Sequence, residues 1–93
     1  MNILNETVIK INNEKVLVSE LGDEMVMMHL ERGNYITINN IGKIIWEKIQ
    51  EPVTVNELIN YLVSRFDVEM DQCKSQTFSF LEKLEEEELI LLQ

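Results

Sequence analysis

The chain has little of what most enzymes and secreted domains depend on. Its 93 residues include one cysteine, one histidine and one proline. A lone Cys73 cannot close an internal disulfide or build a cysteine-based zinc site, and it suits a reducing compartment. Its place on a helical apolar stripe reads as a small buried group rather than a reactive thiol. His29 has no cysteine at ligand spacing and is expected on the solvent side of a strand, so no metal is expected. No Ser/His/Asp set, paired-carboxylate signature or glycine-rich phosphate loop is present, and no catalytic residue or cofactor is expected. No apolar run approaches the ~20 residues that span a bilayer, and the opening MNILNETVIK lacks a basic start followed by an apolar core. The expectation is a soluble, cytoplasmic protein with no membrane partner. With three glycines and one proline there is no low-complexity linker, and residues 1–93 read as one small domain. Basic side chains are scarce too: eight against seventeen acidic ones, a net charge of −9. Such a surface repels phosphate backbones, which argues against a nucleic-acid partner and favours basic or neutral ones.

What is present is a pattern that changes period midway. Thr7 to Ile11 and Lys15 to Ser19 alternate as strands around an Asn12-Asn13 turn, and Gly22-Asp23 turns the chain into a third strand, Glu24 to Leu30. There Met25, Met27 and His29 point one way and Val26, Met28 and Leu30 the other. After Glu31-Arg32-Gly33-Asn34, the β-branched and aromatic run Tyr35 to Ile38 returns as its antiparallel neighbour, so the first half reads as a meander of three or four strands. From Asn39 the period is helical. Asn39 or Asn40 caps a helix carrying Ile41, Ile44, Ile45 and Ile49, with Trp46 locking it onto the sheet. Pro52 stops it, and Thr54-Val55-Asn56-Glu57 has the form of a capping box that starts a second helix with Val55, Leu58, Ile59, Leu62 and Phe66 inward. The third helix, Met70 to about Glu87, turns Met70, Cys73, Thr77, Phe80, Leu81 and Leu84 to the core. The tail Leu89 to Leu92 is expected to pack back on the helices. The fold class is therefore α+β: an N-terminal three- or four-stranded antiparallel sheet followed by three helices, as in a winged helix-turn-helix.

In order and spacing, Gly33-x-Tyr35-x-x-Ile38-Asn39-x-x-Gly42-x-x-x-Trp46 and Phe80-Leu81-x-x-Leu84 resemble the PqqD-like family, the recognition elements of ribosomally made, modified peptides. The resemblance runs from about Val16 to Leu92 and leaves residues 1–15 unmatched. Ile38 stands where the family usually shows leucine. Glu87-Glu88 stands where a glycine commonly ends the last helix, which implies a less sharp ending here.

The resemblance implies a binding module without chemistry of its own, which holds the leader of a precursor peptide and presents it to a separate enzyme. In lasso-peptide systems that enzyme is a leader peptidase, the first choice for a domain standing alone. A PqqD-like partner of a radical S-adenosylmethionine enzyme is the alternative client, and a winged-helix DNA-binding regulator the alternative in kind. The implied mode is strand addition to the edge strand Arg32 to Ile38, with leader contacts at Arg32, Asn34, Tyr35, Ile36, Thr37 and Ile38. That edge has no proline to block pairing. The facing groove wall is expected on the third helix, where Phe78 lies off the core stripe on a flank shared with Lys74, Glu82 and Glu85. Phe78 either borders the groove or packs beneath the C-terminal tail, and Tyr35 either borders the groove or packs under the N-terminal strands. An edge open to a leader could also pair with its own copy, so monomer and edge-paired dimer are both compatible with the sequence.

Overall fold

The computed structural model describes residues 3–22 and 24–93. Strands β1 (Val8–Ile11), β2 (Val16–Leu21), β3 (Glu24–His29) and β4 (Tyr35–Ile38) precede helix α1 (Asn40–Lys48). A short β5 (Val53–Thr54) leads into α2 (Val55–Arg65), α3 (Met70–Glu86) and a last strand, β6 (Ile90–Leu92). The α+β arrangement of antiparallel strands followed by three helices is as the sequence predicts. The expected Gly22-Asp23 turn is half visible: Gly22 has a φ of 64°, while Asp23 lies outside the described residues.

The strands do not form one meander. Strands β2, β3 and β4 make an antiparallel sheet in that order, but β1 sits in a second sheet between β5 and β6. Ile9 pairs with Val53 on one side and Leu92 on the other. Ile9 and Ile11 are buried, and this gives residues 3–15 a structural role that the family resemblance leaves blank. Leu4 to Thr7 extend the same function, because the Val55 and Asn56 N–H groups at the start of α2 donate to the Thr7 and Asn5 carbonyls. Those helix-end donors have no partner inside α2. The tail likewise pairs as β6 instead of resting on helices alone.

Helices α1 and α2 start with the caps that their sequences predict. Asn39 Oδ1 accepts from the Gly42 N–H at 3.0 Å and caps α1. The Thr54 hydroxyl accepts from Glu57 N–H at 3.1 Å, and the Glu57 carboxylate accepts from Thr54 N–H at 3.0 Å, closing the capping box. That backbone bond from Thr54, reinforced by its hydroxyl, holds the Glu57 carboxyl below its ordinary range. A depressed carboxyl stabilises the fold above its unfolded pKa, so this contribution is lost as pH falls through the folded value.

The end of α3 corrects the expectation of a weak stop. Leu89 N–H donates to the Leu84 carbonyl and Glu88 N–H to that of Glu85, both at 2.9 Å. Leu84 and Leu89 are both buried. This is a Schellman ending in which Glu88 takes the left-handed conformation, at φ 59°, that glycine normally fills. Asn12 Nδ2 donates to the Glu88 carbonyl at 2.9 Å and helps hold it there. Because a side chain is strained at that φ, Glu88→Gly is expected to raise stability by about 1 kcal/mol in thermal unfolding. The ion pair it sacrifices, with Arg32 at 3.3 Å, is exposed and contributes less. A fall in melting temperature would mean that the ion pair outweighs the strain.

Candidate leader-binding edge

The sheet β2–β3–β4 ends at β4, and its open side follows from register. His29 N–H donates to the Asn34 carbonyl at 3.1 Å, and Met27 faces Ile36 while Met25 faces Ile38. In an antiparallel ladder the bonded pairs alternate, so the main-chain groups of Ile36 and Ile38 point to β3 and those of Tyr35 and Thr37 point away. No strand pairs with β4 on that side among the described residues. Side chains alternate on the perpendicular axis: Ile36 and Ile38 are buried, while Tyr35 is 68% exposed on the outer face. Tyr35 is thus neither beneath the N-terminal strands nor in the interior.

Two contacts set how β4 is presented. His29 is 4% exposed and not on the solvent side, contrary to expectation. Its Nδ1 accepts from the Glu31 and Arg32 N–H groups, each at 3.2 Å, so the ring orders the turn before β4. Arg32 is committed at the far end of that turn. Its guanidinium donates to the Glu86 carbonyl at 2.7 Å and to Glu88 at 3.3 Å. A cation there offsets the negative end of the α3 dipole and straps the start of β4 to the end of α3.

At the other end of β4 lies a cleft of about 360 Å³, walled by Ile41, Gly42 and Ile45 of α1, Phe66 after α2, and Gln76, Thr77 and Phe80 of α3. A β-carbon on Gly42 would stand 3.0 Å from Ile38 Cβ and 3.2 Å from Phe80 Cζ. Only glycine there lets the ring lie this close to the end of β4. Ile41, expected in the core, is 45% exposed and borders the cleft, and Met70, expected on the core stripe of α3, is 46% exposed in its first turn. Cys73 is buried, with Sγ 3.9 Å from the Thr77 hydroxyl.

Phe78 does not line this cleft. At about 100° per residue it emerges some 160° around α3 from Phe80, together with Lys74, Glu82 and Glu85. The end of β4 at Ile38 and the Phe80 ring thus meet across Gly42, while Phe78 emerges on the opposite flank of α3. Gln76, Lys83 and Glu87 lie within about 60° of Phe80. The Glu87 Oε2 atom is shielded from solvent and has no hydrogen-bond partner among the described residues. Sequence reasoning placed Phe80 in the core because its helical phase fits the core stripe. Only the absent side chain at Gly42, four residues beyond Ile38, signals a close approach.

Among the described residues no three His, Cys, Asp or Glu side chains are placed to hold a metal, and no helix is long and apolar enough to cross a membrane.

Known proteins share this architecture. A solved structure, TbiB1 in complex with the TbiA(beta) leader peptide, superposes with a TM-score of 0.76 at 26% identity, covering 87% of this chain and 93% of that one. No curated protein matches the chain. The family model for coenzyme PQQ synthesis protein D (PqqD) matches residues 24–90. Since that match runs from the start of β3 to the start of β6, taking in the open edge and all three helices, the chain belongs to the PqqD family.

Proposed function

We propose that this chain binds the leader segment of a ribosomally made precursor peptide as an added strand on β4, and hands the precursor to a separate processing enzyme. The observation that carries the reading is the side of β4 to which the Tyr35 and Thr37 main-chain groups point, where no strand pairs among the described residues, with the Phe80 cleft at its end. Main-chain pairing gives affinity with little demand on sequence, and a pocket for one or two alternate side chains gives specificity. Family membership supports this, as does the likeness to a protein solved with a leader peptide. The module acts by binding and orienting, without catalysis, in the cytoplasm. A leader peptidase of the lasso-peptide type is the first choice of enzyme, and a radical S-adenosylmethionine enzyme the second.

The test is a titration of the labelled leader of the cognate precursor, with random duplex DNA as the control. Saturable leader binding and no DNA binding at moderate salt are expected, since a net charge of −9 opposes phosphate contacts. Binding to DNA but not to leader overturns the reading in favour of a winged-helix regulator.

A further inference from the structure

The face of the β2–β3–β4 sheet turned away from the helices is apolar, and nothing among the described residues covers it. Leu17, Ser19 and Leu21 of β2 share it with Val26 and Met28 of β3 and Tyr35 of β4, around a shallow depression. Leu17 is 52% exposed and Leu21 67%. These are β-sheet positions where a polar residue would satisfy the fold equally well. Strand β1, which could have covered the face, belongs to the other sheet.

Two features indicate what covers it. The first is charge. A second copy, itself of net charge −9 over its whole chain, would set its exposed Glu24 at the end of β3, and Glu31 in the β3–β4 turn, which pairs with Lys15 at 3.0 Å, against the same carboxylates. Self-docking opposes like charges, whereas an apolar patch rimmed by lysine or arginine is attracted. The second is area and continuity. Three strands spaced ~4.8 Å apart offer roughly 200–300 Å², well short of the ~800 Å² per partner of a stable complex. The face is continuous with the open edge, because Tyr35 lies on the outer face and offers its main-chain groups to that edge. A strand added there projects alternate side chains onto the same face and widens it by about a third.

We propose that this outer face docks the enzyme that processes the precursor, through an apolar patch with a basic rim, and that a bound leader enlarges the docking surface. The inference rests on the leader-binding reading. Docking then favours the loaded domain over the empty one, so the enzyme meets the precursor where the leader is already held.

The test uses the full chain, its cognate leader peptide and the separately purified enzyme that cleaves or modifies that precursor. Enzyme binding is expected to tighten at least about tenfold when leader is present, as a larger buried face implies. Leu17→Glu and Leu21→Glu, alone and together, are expected to weaken it about tenfold or more while leader affinity stays within about twofold, since both side chains point away from the α3 side. Leu21→Ser is the milder variant should a charge on β2 impair folding. Normal leader binding with undiminished enzyme binding in these variants overturns the docking face. A wild-type dimer in sedimentation that Leu21→Glu converts to monomer overturns it too, by giving the face to a second copy. A wild-type chain that binds no leader removes the earlier reading, and the leader dependence with it.

Discussion

Thr37→Pro is expected to fold and to lose leader affinity by about tenfold or more, because it deletes the one outward N–H near the middle of the strand and sets a ring in the path of an added strand. Its own ladder survives, since the bonds between β3 and β4 run through Asn34, Ile36 and Ile38. Ile36, the preceding residue, is already extended, as a following proline requires. Ile36→Pro has the opposite profile. It removes an inward N–H and a buried side chain, so a stability loss of roughly 3 kcal/mol is expected, a large share of what a domain this size possesses. Thermal unfolding and leader titration of the two variants side by side separate edge from interior. If Thr37→Pro keeps both its melting temperature and its affinity for leader, the peptide does not pair with β4.

Phe80→Ala is expected to lower leader affinity by about tenfold, because the ring forms the wall between the end of β4 and the mouth of the cleft. Stability should fall by about 1–2 kcal/mol, less than for a fully buried phenylalanine, since the ring is half-buried. Phe78 is also half-buried against the core but on the other flank of α3. Phe78→Glu is therefore expected to cost about 2 kcal/mol of stability through burial of a charge, with leader affinity in the folded fraction within about twofold of wild type. Reversed results, in which Phe78→Glu abolishes binding and Phe80→Ala leaves it intact, would move the groove to the Phe78 flank with Lys74, Glu82 and Glu85.

The contrast between these two phenylalanines shows where sequence reasoning stops. Helical phase places both on α3 and states their separation, but not which neighbour each meets. That depends on how α3 crosses α1, and the crossing is permitted by Gly42, a residue whose side chain carries no pattern. His29 fails for a related reason. Alternation correctly groups it with Met25 and Met27, yet an imidazole looks polar in a pattern, and the two turn amides that satisfy its buried ring become visible only when the β3–β4 turn is built. At Glu88 the sequence is misleading in the other direction. A missing glycine suggests a frayed helix end, whereas burial of Leu84 and Leu89 together with the Asn12 bond forces a glutamate into the left-handed region.

Local grammar alone determined the strands from β2 to β4, the three helix starts and the capping box, because each depends on residues within a few positions of one another. Tertiary structure decided that β1 leaves the meander to join β5 and β6, that no strand among the described residues pairs with the outer side of β4, and that Phe80 stands at its end. Those outcomes join residues as far apart as Ile9 and Leu92. A short apolar strand satisfies its alternation equally well in either sheet, so the choice falls to whichever arrangement buries the ends of α2 and α3, a condition that no single segment encodes.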